Sequence, residues 1–247
     1  MERIILIETS TALCSVALAE NGAIVDYRES SAPKAHASLT AVFIQEMLED
    51  RGLTVNDCDA VCVSMGPGSY TGLRVGVSTA KGLCFGARKP LIAVGTLDTL
   101  VAQAVDAGTS CKETAASEYK YIVPMIDARR MEVYTATFVR NTGAPAGCCS
   151  DSDWKQTTDT APMIIDENSF ADILADGPVL FIGDGAGKCA DVIKHPNAHF
   201  CQCHPKASSM LSPALEAYKE KRFEDVAYFE PFYLKEFVAT VSKKKLF

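Results

Sequence analysis

Ala60-Val61-Cys62-Val63-Ser64-Met65-Gly66-Pro67-Gly68-Ser69-Tyr70-Thr71-Gly72-Leu73-Arg74-Val75-Gly76-Val77-Ser78-Thr79-Ala80-Lys81-Gly82-Leu83-Cys84-Phe85-Gly86 reads as a buried strand, a sharp turn and a helix. The apolar run at 60–63 has the composition of a covered strand. Gly66, Pro67 and Gly68 then free and fix the backbone for the turn, and Ser69 stands where a helix N-cap is wanted. Beyond it the small residues Gly72, Gly76 and Ala80 recur every four positions, with Leu73, Val77 and Cys84 on a neighbouring face. Each glycine costs a helix about 1 kcal/mol relative to alanine. Several in one helix therefore call for a reason, and the simplest is the close approach of another backbone. The segment is too polar and too short to cross a bilayer, so it reads as a contact surface.

Two phosphate-binding patterns fail on the same glycines. No Gly-Lys pair stands at the P-loop offset, and Thr71 occupies the last position of the dinucleotide pattern. What survives is a turn feeding a helix N-terminus, which either holds an anion through free amides or serves turn and packing alone.

The wider composition is that of a globular protein. Of the 247 residues, 48% are hydrophobic and 22% charged, enough for one large domain or two small ones. A net charge of −7 argues against this chain being the main grip on nucleic acid, which calls for a basic face. The basic run Lys243-Lys244-Lys245 reads as a solvated terminus. No signal peptide is recognisable at the start and no run reaches membrane-spanning length. The ten cysteines have no framework spacing, so most are expected to be reduced, small, buried hydrophobes in a cytoplasmic protein.

Strands are expected at 4–7, 13–18 and 24–28, the last two joined at Asn21-Gly22. Helices follow at 34–50, 69–86 and 96–106, with strands at 60–64 and 91–94 between them and Thr96 as the cap of the third helix. The second half repeats this outline. A strand at 121–126 ends in Asp127-Ala128-Arg129-Arg130, and 132–139 returns as its hairpin partner. The polar stretch 141–160, with Trp154, reads as loop or edge. Then come a short helix at 169–175, a strand at 179–182, the turn Gly183-Asp184-Gly185-Ala186-Gly187 into a helix reaching about 194, a strand at 200–203 and a helix at 207–221. Two hairpin-led β/α units suggest a duplicated architecture.

These residues resemble the TsaB (YeaZ) family. The match is densest at Gly66–Gly76, with Tyr70 where Phe is usual. It extends to Ile7-Glu8-Thr9-Ser10, His36, Asp127-Ala128-Arg129-Arg130 with Glu132-Val133-Tyr134, and Pro231-Phe232-Tyr233-Leu234-Lys235. The resemblance implies an α/β fold of the actin-like (ASKHA, ribonuclease H-like) duplicated type, two domains each with a mixed sheet flanked by helices. Residues 1–106 would form the first domain and 107–223 a second, degenerate one, with 224–247 packing back on the first. It further implies an accessory subunit of the machinery that makes threonylcarbamoyladenosine at position 37 of tRNA. The chain would pair with its paralogue TsaD, which carries the metal and performs the transfer. An ATPase, TsaE, joins; alone the chain would be a homodimer. It would touch tRNA only through the complex. No cofactor is required by this chain, with ATP or ADP expected at the joint with the partner.

The partner surface is expected on two helices: His36, Leu39, Val42, Phe43, Met47, Ser69, Tyr70, Gly72, Leu73, Arg74, Gly76, Val77 and Ala80. A vestigial nucleotide site would comprise Glu8, Thr9, Ser10, Asp127, Gly183 and Gly185, or these are ordinary turn residues. The family usually has Asp where Glu8 stands, which argues against a working nucleotide site. No catalytic residue is assigned. The paralogue's metal site needs two histidines one helical turn apart, whereas His36 is followed four residues on by Thr40. His195, His199, Cys201, Cys203 and His204 are metal-type residues without a knuckle spacing, and no metal site is expected of them. Arg129 and Arg130 read as partnered or surface arginines rather than phosphate ligands. The alternative function is a degenerate phosphotransferase or ATPase of the same fold acting alone. A hydrolase lacks any G-x-S-x-G elbow or Cys/His arrangement.

Overall fold

The structure, a computed structural model, describes residues 2–106, 116–141 and 153–234. Cys111, Cys148, Cys149, most of the polar stretch after 141, Lys235 and the basic run at 243–245 lie outside the described residues.

The first sheet begins as a meander of β1 (Arg3–Glu8), β2 (Cys14–Glu20) and β3 (Ala23–Ser30). Asn21 and Gly22 both take positive φ, 50° and 81°, at the β2–β3 turn, the backbone that tight hairpins require. β4 (Ala60–Gly66) and β5 (Leu91–Gly95) add in parallel, giving the order β3-β2-β1-β4-β5. β1 is central, and its alternation is buried on both faces. Ile5 and Ile7 meet Met47 and Val77 on one side; Ile4 and Leu6 meet Met210 and Ala214 on the other. The first side is covered by α1 (Ala35–Glu49) and α2 (Tyr70–Ala87).

The second sheet has the same plan. β6 (Tyr121–Asp127) and β7 (Glu132–Thr135) form the hairpin, with β10 (Ala161–Ile164) outside them. β11 (Val179–Gly183) and β12 (Ala198–Gln202) run parallel to β6, in the order β10-β7-β6-β11-β12. The expected strand at 132–139 is broken in two. β8 (Phe138–Arg140) also pairs with β6 and carries β9 (Trp154–Gln156) at its side. Trp154 is buried in that sheet's core. α4 (Ala171–Asp176) and α5 (Ala186–Ala190) lie on one face, α5 ending short of the expected 194. This is a duplicated arrangement of two mixed sheets flanked by helices.

Two helices cross between the halves. α3 (Thr96–Val105) follows β5 in the chain, yet Leu97, Leu100 and Val101 pack on Ile122, Ile126, Leu180 and Ile182 of the second sheet. Conversely the 3-10 turn Ala207–Met210 and α6 (Leu211–Lys219) cover the free face of the first sheet. Each core thus takes one helix from across the chain division expected at 106. Thr96 does not cap α3. It opens the helix, and its hydroxyl lies 2.9 Å from that of Ser64. Ser69 does cap α2, accepting from the Gly72 N–H at 3.3 Å.

After α6 the chain returns across the first half as an irregular strap. The Glu224 N–H donates to the Leu91 carbonyl and the Phe232 N–H to that of Met65, while Val226 and Phe229 pack against the first core. Lys81 Nζ donates to the carbonyls of Ala227 and Phe229, both at 3.0 Å. Lys81→Met is expected to lower stability by about 1–3 kcal/mol, since charge-assisted bonds to two carbonyls are lost. The urea midpoint measures it. No helix among the described residues is long and apolar enough to cross a membrane.

Candidate functional site

The turn between β1 and β2 carries Glu8, Thr9, Ser10 and Thr11, all buried. The Glu8 Oε1 accepts the Ser10 N–H at 2.6 Å, while Oε2 and the hydroxyls of Thr9, Ser10 and Thr11 are buried without hydrogen-bond partners. Burial pushes the Glu8 carboxyl up to about 7; Ser10, which donates its backbone N–H, and Ser64 offset only part of that cost. α2 packs directly on this turn, and here the glycines find their reason. A Cβ on Gly72 would stand 2.1 Å from the Thr9 carbonyl oxygen, and one on Gly76 2.2 Å from Thr9 Oγ1. The close approach read from the sequence is therefore real, but its partner is the chain's own β1 end rather than a foreign helix.

That relocates several expected contact residues. Met47, Val77 and Ala80 are buried in the first core, with Phe43 packed against it, and Leu73 is buried as well. Gly72 and Gly76 are covered by Thr9. His36 and Leu39 are half-buried. Val42, at 40% exposure, and Ser69, Tyr70 and Arg74 remain at the surface. Arg74 Nη1 donates to the Tyr70 hydroxyl at 2.9 Å, and the ring of Tyr233 from the strap lies 5.0 Å from that of Tyr70.

The outward face of α2 is a different set. Thr71, Val75, Ser78, Gly82, Phe85 and Gly86 point away from the sheet, at the helical spacing opposite Leu73, Val77, Ala80 and Cys84. Nothing lies within 4 Å of a Cβ built on Gly82 or Gly86, and Phe85 is 83% exposed. Beside this stripe a groove of about 520 Å³ is lined by Ala37 of α1 and by Tyr70, Thr71, Arg74, Val75, Ser78 and Thr79. The signal was present in the sequence: Ser78, Gly82 and Gly86 repeat every four residues just as Gly72, Gly76 and Ala80 do.

Across the cleft, β6 and β11 bring the second set of residues together. Asp184 Oδ1 accepts the Asp127 N–H at 2.9 Å, and burial raises the Asp184 carboxyl. Gly183 takes φ +132°, and a Cβ there would stand 2.2 Å from the Met125 carbonyl oxygen. The Gly185 N–H donates to that same carbonyl. These glycines seat the β11 turn on β6. Lys188 of α5 fills the corner. Its Nζ pairs with Asp127 Oδ1 and donates to the carbonyls of Arg130 and Glu132 at 2.8 and 2.7 Å. Nothing local in the sequence announces that partnership, which spans 61 positions.

Of the residues expected to form a vestigial nucleotide site, the Glu8 carboxyl is fully buried, the Asp127 carboxylate is paired with an ammonium, and Gly183 and Gly185 are packed against the β6–β7 hairpin. Among the described residues no three His, Cys, Asp or Glu side chains converge on a cation position. His195 and His199 are exposed, Cys201 and Cys203 turn toward the α3 side of β12, and His204 Nδ1 faces Asp184 at 4.0 Å.

Comparison with known proteins agrees with this architecture. The family model "TsaD: tRNA N6-adenosine threonylcarbamoyltransferase" matches residues 29–243. The tRNA threonylcarbamoyladenosine biosynthesis protein TsaB of Escherichia coli is 30% identical over 96% of this chain and 96% of its own length. TsaB of Bacillus subtilis is 28% identical, over 73% of this chain and 70% of that protein. The solved structure of YeaZ from Pseudomonas aeruginosa superposes with a TM-score of 0.77 at 23% identity, covering 95% of this chain and 100% of that one. The model named for the transferase marks the wider family, and the near full-length relatives mark the branch. The chain belongs to the TsaB (YeaZ) family of tRNA threonylcarbamoyladenosine biosynthesis proteins.

Proposed function

We propose that this protein is a non-catalytic, cytoplasmic subunit of threonylcarbamoyladenosine synthesis that docks the open face of α1 and α2 on a TsaD-type transferase. The observation that carries this reading is the stripe Ser78, Gly82 and Gly86, whose Cβ side is open space while Phe85 beside it is bare. Two glycines in an exposed helix face each cost about 1 kcal/mol of helix stability. The cost is offset when another helix lies almost on the backbone. Tyr70 and Arg74 extend the face with residue types that anchor interfaces, Val42 adds apolar surface, and the whole should clear about 1,000 Å² on association. In isolation the same face suits a second copy of the chain, related by a two-fold axis. A TsaE-type ATPase would join the assembled pair. The reading assigns no ATP chemistry to this chain: Asp127 is paired with Lys188, and the Glu8 carboxyl is fully buried.

Gly82→Leu tests it. The side chain enters open space and leucine is the better helix former, so the isolated protein should melt no lower than the unaltered one. Co-purification with the transferase should fall at least tenfold, and threonylcarbamoylation of tRNA by the mixture should fall with it. A Gly82→Leu chain that still forms the heterodimer at full affinity would sink the proposal.

A further inference from the structure

Joining β6 to β7 is a four-residue connection whose tip holds Arg129 and Arg130 at φ +72° and +51°. Positive φ is costly for a side-chain-bearing residue and is usually left to Gly, Asn or Asp. Here two consecutive arginines occupy it, both exposed. None of the ion pairs among the described residues includes either guanidinium. The surroundings engage one neighbouring acid. The Asp127 carboxylate is held by Lys188 and accepts the Arg129 N–H at 2.8 Å. Lys188 also braces the tip, binding the carbonyls of Arg130 and Glu132. The result is a hairpin tip that presents two exposed guanidiniums, neither in an ion pair among the described residues, on a chain of net charge −7.

From this geometry we infer that the Arg129–Arg130 tip is a phosphate-contacting surface for the tRNA substrate, so that this subunit touches the nucleic acid directly. The inference rests on the functional reading above, and departs from the expectation that tRNA is reached only through the partner. A guanidinium offers a planar fork of donors matched to phosphate oxygens, and two on one braced turn suit neighbouring phosphates of a strand. Such contacts position the substrate without reading its sequence. Because the chain as a whole is acidic, the attraction is confined to this corner and the salt dependence it adds is small.

The experiment uses the complex of this chain with its transferase and an unmodified tRNA transcript as probe. Arg129→Asn with Arg130→Gly removes both charges while supplying the residues best suited to positive φ, so the hairpin is retained. The double variant should enter the complex normally and bind tRNA about tenfold more weakly at low salt. The slope of log affinity against log salt should become shallower by about one to two. In turnover the KM for tRNA should rise with kcat unchanged, and Arg129→Lys with Arg130→Lys should recover most of the affinity. Unchanged affinity and slope in the neutral variant would overturn the inference, as would no recovery with the lysine pair. A neutral variant that loses the protein partner while the remaining tRNA binding is unaltered would overturn it too, and would make the tip a contact for an acidic protein surface. Should the unaltered chain itself fail to join the transferase, the functional reading fails together with this one; normal heterodimer formation with unaltered tRNA affinity defeats this one alone.

Discussion

Gly72→Ala is expected to destabilise the fold by about 3 kcal/mol or more, while Gly82→Ala, ten residues along the same helix, stabilises it by up to about 1 kcal/mol. The two substitutions add the same methyl group. At Gly72 it arrives 2.1 Å from a backbone carbonyl of the β1 end, which cannot rotate away; at Gly82 it meets nothing. Gly76→Ala falls between them, because the 2.2 Å contact is with Thr9 Oγ1, a hydroxyl that can turn but is buried. Urea unfolding of the three variants gives the ranking directly. Since domains are stable by only about 5–15 kcal/mol, the Gly72 variant should lose a large fraction of its margin. Equal midpoints for Gly72→Ala and Gly82→Ala would mean that α2 does not sit on the β1–β2 turn. The ranking also governs how partner-binding variants are read. A bulky residue at Gly76 would abolish the complex by damaging the subunit, whereas one at Gly82 acts at the surface alone.

Replacing Glu8 by Gln should make the protein more stable at pH 8 by up to about 3 kcal/mol, with little difference at pH 4.5. The sign follows from the raised carboxyl. Burial lifts Glu8 from an ordinary value of 4.5 to about 7, so between those limits the folded state holds a proton that the unfolded chain has released. Stability from this group is fully present below pH 4.5, declines as the pH rises toward 7, and is flat above it. Glutamine keeps a carbonyl oxygen for the Ser10 N–H and never needs to ionise. The readout is the difference in unfolding free energy between the two proteins across this range, in which contributions from other titrating groups cancel. A difference that does not grow between pH 5 and 8 would refute a buried, proton-holding Glu8. The same measurement bears on the cleft, since a carboxyl that prefers its proton is a poor ligand for a cation at neutral pH.

The elements were largely legible in the residues. The apolar run at 4–7 marked β1, Asn21-Gly22 marked the β2–β3 hairpin, and Ser69 marked the start of α2, because each signal lies within a few positions of the chain. The family, too, was legible in the run from Gly66 to Gly76. The outward face of α2 was only half legible. Both sides of that helix carry small residues at the same spacing, so periodicity alone left open which side meets the chain's own strand and which side is bare.

What the sequence by itself determined was most of the strands and helices, their order and the repeat of one plan; β10 was not foreseen, and the strand read at 132–139 proved to be two. The elements it determined depend on backbone propensity and on the two-residue and 3.6-residue periods. Only the tertiary structure decided which sheet each helix covers, sending α3 to the second core and α6 to the first. It alone brought Lys188 to Asp127, set Thr9 against Gly72 and Gly76, and left Gly82 and Gly86 open. An apolar face states that a helix must be covered and is silent about by what. That choice is made by the packing of segments far apart in the chain.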